Sequence, residues 1–273
     1  MCIRDSTIHG AARTESGSGN GIHCWYCQNY VIENNTIIQQ RDGVYLEFTT
    51  GTRVQGNESK DNMRYGLHFM FSHHNGYYNN YFHHNGSGVA VMYTNNIEMI
   101  GNVFADNLGD ASYGLLLKDI TNGLICHNIF KNNTAGIYTE SGGTLSIHHN
   151  DFIGNGWALR LMASSTNNEI DSNNFRSNSF DVATNSYGTP CRFAGNYWDD
   201  YAGYDINKDN VGDVPYRPVR LFSTIIEQNA PAMLLLHSFF VSLLDLAESI
   251  FPTVTPEGMH DRTPSMHPIH THS

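Results

Sequence analysis

Charge is scarce in this chain, and positive charge is scarcest. Only 15% of its 273 residues are charged, with 15 Lys and Arg against 26 Asp and Glu, a formal net charge of −11. That balance excludes a basic surface that tracks phosphates, so nucleic acid is not an expected partner. So low a charged fraction also excludes a helical fold laced with surface ion pairs. Cysteine is sparse as well: Cys2, Cys24, Cys27, Cys126 and Cys191 are too few and too irregular for a disulfide framework. No apolar run opens the chain, so Met1 to Ser6 shows no signal peptide. We expect residues 1–20 to be a truncated start that enters a repeat array part-way.

Asn is abundant, at 30 residues, with 25 Gly, 15 Tyr and 14 Phe. Asn and Gly form helices poorly, whereas Tyr and Phe suit strands, which points to a turn-dense β architecture. The residues repeat. Cuts before Gly21, Gly43, Gly66, Gly88, Gly114, Gly136, Ala158 and Asp181 are spaced by 22, 23, 22, 26, 22, 22 and 23 residues. The first residue after each cut residue up to 158 is apolar (Ile22, Val44, Leu67, Val89, Leu115, Ile137, Leu159). Two further on stand Cys24, Leu46, Phe69, Val91, Leu117, Thr139 and Leu161. Alternation of this kind marks a short strand with one buried face.

Later in each unit an Asn precedes a bulky residue by two positions, as in Asn35/Ile37, Asn80/Phe82, Asn102/Phe104, Asn128/Phe130, Asn150/Phe152, Asn173/Phe175 and Asn196/Trp198. Asn57 keeps the Asn but has Ser59 as its partner. A second Asn row follows at Asn62, Asn85, Asn107, Asn133, Asn155 and Asn178. A coil this small cannot bury its own apolar face, so coils must stack. The pattern predicts an all-β protein: a parallel β-helix of about 22-residue coils over residues 21–201. Right-handedness is expected from the chirality of parallel crossovers. Corner Asn residues are expected to take the left-handed conformation and to form amide ladders.

The repeat stops past residue 201. An acidic turn loop is expected over 202–218 and a helical docking or capping segment over 219–252, its helix running from about Asn229 or Pro231 to Phe251. A Met- and His-rich tail over 253–273 is expected to be disordered.

In each coil the residues two and four after the cut should point outward. His68 and Met70 then share one outer face, and Met92 lies one coil, about 4.8 Å, from Met70. Thioether and imidazole ligands together select Cu(I) over hard ions, so this trio is a candidate copper site. The alternative is adaptable packing under a loop or partner. Met259, His260, Met266 and His267 in the tail are further candidate copper ligands. Asp205, Asn207, Asp209 and Asp213 resemble the first part of a calcium loop, but Tyr216 stands where the closing Glu belongs. The stacked histidines His127, His148 and His149 read as polar decoration of turns. Cys24 reads as a buried structural cysteine. Glu47, Lys118, Glu140 and Arg160 are scattered over different coils, so no catalytic constellation is evident and no enzyme is expected.

RYGLHFMFSHHN (64–75), GVAVMYTNN (88–96), YGLLLKDITN (113–122), GNYWDDYAGYDINKDNVGDVPYRP (195–218) and PAMLLLHSFFVSLLDLAESIFP (231–252) resemble the NosD family of nitrous oxide reductase maturation proteins. The likeness extends over most of residues 20–255. It implies a periplasmic, right-handed parallel β-helix that handles copper. It also implies partners: an ABC transporter permease and ATPase, a copper chaperone, and nitrous oxide reductase, with membrane contact only through the permease. Two alternatives stay open: a carbohydrate-binding or carbohydrate-active β-helix, and a structural solenoid without a ligand.

Overall fold

The structure is a computed structural model and describes residues 2–162, 164–185, 191–229 and 259–271, with residues 231–232, 238 and 243–244 between them. Its strands form two parallel sheets, one of 15 strands and one of nine. The larger sheet is folded into two faces, because the 14-residue strands Ser87–Ile100 and Tyr113–Cys126 run on from one face to the next. The coil therefore has three sides. The first face carries Ile22–Trp25, Asp42–Glu47 and Tyr65–Met70; the second carries Val31–Glu33, Arg53–Gln55 and Asn75–Tyr78. The nine-stranded sheet, with Tyr81–His83 and Val103–Ala105, is the third.

Register follows the repeat. Val44, Leu67, Val89, Leu115, Ile137, Leu159 and Val182 are successive partners across the first face, and all are buried. On the third face Phe82, Phe104, Phe130, Phe152, Phe175 and Trp198 stack ring on ring, with centroids 4.1 to 5.7 Å apart. Stacking coils at the strand-pairing distance brings these rings into contact. Ser59 interrupts the row, and its Oγ donates to the Gly66 carbonyl 2.8 Å away.

Both Asn rows form ladders. In the first, the backbone N–H and side-chain Nδ2 of each Asn donate to Oδ1 of the Asn one coil on, from Asn35 to Asn57 and onward to Asn196. The expected left-handed conformation occurs at corner Asn residues such as Asn34, Asn79 and Asn132, but not at the ladder Asn residues themselves. Positive φ belongs to the residue just before each ladder Asn: Asn34, Gly56, Asn79, Gly101, His127, His149, Ser172 and Gly195. One residue makes the turn, where Gly56 and Gly101 carry no steric cost, and the next residue makes the ladder.

The end of the coil departs from expectation. Helix α1 (Leu221–Gln228) lies upstream of the expected 231–251 helix, most of which is outside the described residues. Phe222 and Ile226 of α1 pack on Trp157, Phe180 and Ala183. The tail is not disordered over residues 259–271. It adds to the last coil through parallel bridges Phe193–Asp261 and Tyr197–Ser265. Asp261 Oδ2 accepts from the backbone N–H and Nδ2 of Asn196 (2.9 and 3.0 Å) and from Trp198 Nε1 (3.2 Å). A carboxylate therefore takes the place of the next Asn and closes the ladder.

Candidate functional site

Face one carries the expected trio. His68 and Met70 lie on strand Tyr65–Met70, and Met92 is the in-register partner of Met70. His68 points outward as expected but is buried, only 5% exposed. Tyr45 and Tyr65 cover it, with ring centroids 4.8 and 4.9 Å from the imidazole. Beneath it Arg64 holds the buried Asp42 carboxylate with two bonds of 3.1 and 3.0 Å. Arg64 Nη2 also lies 3.3 Å from His68 Nδ1 and, being only a donor, makes Nδ1 the acceptor. His68 Nε2 is buried and has no hydrogen-bond partner among the described residues. A buried polar atom left alone costs about 1–3 kcal/mol, so it calls for an explanation. Tyr45 Oη points at Met70 Sδ from 3.8 Å.

Beside the methionines runs a row that sequence reasoning missed. Tyr26, Phe48, Phe71 and Tyr93 stack with centroids 4.8 to 5.2 Å apart and planes within 14° of parallel. Each has positive φ and each is exposed. Bulky residues seldom adopt that conformation. The signal was present in the sequence, because all four stand five residues after their cuts. The next two coils break the row with Asp119 and Ser141.

The other candidate ligands are dispersed. Met259 is buried in the main core at 1% exposure, so it is not a ligand on a loose tail. His260 Nε2 accepts from Arg262 Nε at 2.8 Å. Met266 is half-buried and His267 exposed. In the acidic loop Asp205 accepts from the backbone N–H groups of Lys208, Asp209 and Asn210, and Asp213 from that of Ile206. Asn207 Nδ2 donates to Asp209 Oδ2 at 2.9 Å. These bonds account for the loop's Asp and Asn within the turn itself. Among the described residues no three His, Cys, Asp or Glu side chains already converge as a metal cage. Cys24 is a core residue as expected, its thiol pushed up to about 11 by burial and by Cys27.

A polar groove on the second face is lined by Tyr78, Glu98, Asn122 and Glu169. Glu98 and Glu169 are three coils apart in register, hence separated by about 14 Å. Glycosidase carboxylates stand about 5–9.5 Å apart.

The family model described as "Periplasmic copper-binding protein (NosD)" matches residues 4–203. A probable ABC transporter binding protein NosD from Stutzerimonas stutzeri is 29% identical over 195 residues, covering 65% of this chain and 44% of that protein. Its namesake from Pseudomonas aeruginosa is 29% identical over 177 residues, covering 59% of this chain and 41% of its own length. This chain thus spans less than half the length of either relative. Among solved structures, the A-module of the Azotobacter vinelandii mannuronan C-5 epimerase AlgE6 superposes with a TM-score of 0.56 at 16% identity, covering 71% of this chain and 66% of that one. The periplasmic alginate epimerase AlgG superposes at 0.50 and 16% identity, covering 64% and 46%. At such identities the likeness is one of fold.

Proposed function

This chain belongs to the NosD family, and from that premise we propose that it carries copper as cargo, as a periplasmic accessory protein in assembling the copper centres of nitrous oxide reductase. The buried, unpartnered Nε2 of His68 on the strand face that also carries the in-register Met70 and Met92 is the observation that supports it. One imidazole and two thioethers suit Cu(I). With Nδ1 accepting from Arg64 the ring proton sits on Nε2; for Nε2 to become a ligand that proton moves to Nδ1, which turns from Arg64 to the Asp42 carboxylate, whose Oδ2 lies 3.6 Å away. Tyr45 and Tyr65 exclude water from the imidazole. No residue is assigned a catalytic role, and the carboxylate spacing in the polar groove disfavours glycoside hydrolysis.

The partners in this proposal are an ABC transporter, through its permease and ATPase, a copper chaperone that delivers Cu(I), and the reductase that receives it. The exposed ladder from Tyr26 to Tyr93 borders the Met70–Met92 pair and offers an apolar edge for docking. The test is made in a denitrifying host whose own NosD is replaced by the full-length protein. Met70→Ala/Met92→Ala, at normal abundance, is expected to lower nitrous oxide reduction at least tenfold and to leave the reductase short of copper. Wild-type reduction with a fully loaded reductase would overturn the proposal.

A further inference from the structure

Three histidines that read as turn decoration are ring neighbours, not yet converged on one point, on the corner between the second and third faces, away from the thioether face. His127 and His149 occupy the positive-φ position in adjacent coils, and His148 precedes His149. The ring centroids of His127 and His149 are 5.3 Å apart, and those of His127 and His148 are 6.2 Å apart. The Nδ1 atoms of His148 and His149 face each other at 3.0 Å. Two nitrogens each about 2.0–2.1 Å from one ion stand about 2.9 Å apart at a right angle and about 3.3 Å apart at the tetrahedral angle. The observed separation is that of a chelating bite.

The tail fixes the third ring. His127 Nδ1 lies 2.6 Å from the Thr271 carbonyl, which can only accept, so Nδ1 carries the proton and Nε2 holds a lone pair. A backbone carbonyl on the far nitrogen is how metal-binding histidines are commonly oriented. Thr271 is anchored in turn by its Oγ1 on Asp151 Oδ2 (2.6 Å), and Asn174 ties down Ile269 through both its backbone groups. A second adjacent pair, His83 and His84, has its Nδ1 atoms 2.8 Å apart, but His83 Nε2 is engaged by Glu58 and Tyr81 stacks on the ring. That pair has no third imidazole in contact among the described residues.

We propose that His127, His148 and His149 form a second metal site, for a borderline divalent cation with Cu(II) bound most tightly, and that the docked tail completes it by orienting His127. The His148–His149 pair is the bite and His127 Nε2 the third donor. On binding, the proton shared between the two Nδ1 atoms moves to Nε2 of its own ring, and no electron is transferred. An all-imidazole set follows the usual divalent order, with Cu(II) at its top. The site does not depend on the thioether site, which takes Cu(I).

The test is a Cu(II) titration of the whole chain against nitrilotriacetate, followed by electron paramagnetic resonance of the bound ion. The expected result is one tight equivalent with nitrogen couplings. His148→Gln/His149→Asn should weaken it at least 100-fold, with Asn chosen at 149 because it tolerates positive φ. Met70→Ala/Met92→Ala should retain it, so loss of one site is read separately from loss of the other. A chain ending at Pro268 keeps Asp261 and should bind about tenfold more weakly. Absence of tight Cu(II) in the wild-type chain, or wild-type affinity in a folded His148→Gln/His149→Asn variant, would overturn the site. Unchanged affinity in the shortened chain would overturn the tail's part in it.

Discussion

Asn128 shows how much one side chain does in a ladder. Its Oδ1 accepts from the backbone N–H and Nδ2 of Asn102 at 2.8 and 3.1 Å, while its Nδ2 donates to the Met99 carbonyl at 2.8 Å. Alanine there strands the Asn102 N–H and the Met99 carbonyl away from water. Asn128→Ala is therefore expected to cost about 2–4 kcal/mol in urea unfolding; a loss below about 0.5 kcal/mol would show that the ladder adds little. Asp181 carries a pH prediction. Burial, then the carboxylates of Asp199 and Asp200, push it from 3.8 up to about 7. Its folded pKa lies above the unfolded one, so the folded chain holds this proton more tightly. Its contribution is full below about pH 4 and is lost as pH rises to about 7. Asp181→Asn should melt close to wild type at pH 4 and clearly higher at pH 8. An equal difference at both values would contradict the assignment. The Asn rows and their apolar partners were legible because each residue recurs at a fixed offset. The burial of His68 was not legible, since Tyr45, Tyr65 and Arg64 cover it from two coils and period 2 reports only the side of the strand.

At the scale of elements, the outcome turned on whether a segment repeats. Strands over 21–201 follow from alternation, because each buried position packs on the equivalent position one coil away. Helix α1 and the tail have no such copies. The tail's Pro, His and Met composition suggested disorder, yet Asp261 gives it the side-chain shape and acceptor that the ladder lacks at its end. Asp261 Oδ1 also accepts from the Gly195 N–H at 3.2 Å. Asn can supply the same acceptor to Asn196, whereas Ala supplies none. Asp261→Ala is expected to lower the melting temperature and speed exchange of the Gly195 and Asn196 amides by at least tenfold, with Asp261→Asn intermediate. Equal exchange in all three proteins would mean that the tail rests on the coil without closing it.

At the scale of the whole molecule, the β-helix is a ruler that sets side chains from distant parts of the sequence about 4.8 Å apart. Met70 and Met92, 22 residues apart in sequence, become neighbours in this way. So do His127 and His149, and the aromatic ladder beside the methionines. Candidate ligands inside the repeat were therefore legible from spacing alone. Those outside it were not: Met259 went into the core, and the loop carboxylates turned to their own backbone. In the proposed function this face, with one covered imidazole, two thioethers and an apolar edge, holds a soft ion and presents it to another protein.

The central claim is that this face binds Cu(I). The direct measurement is a Cu(I) titration of the chain under reducing conditions against a competing chelator, with Met70→Ala/Met92→Ala and a chain ending at residue 258 in parallel. One equivalent that resists the chelator in the wild-type and shortened chains, and is lost in the double variant, is the predicted result. Binding that survives in the double variant and disappears on shortening, or no resistant binding in any of the three, would contradict it.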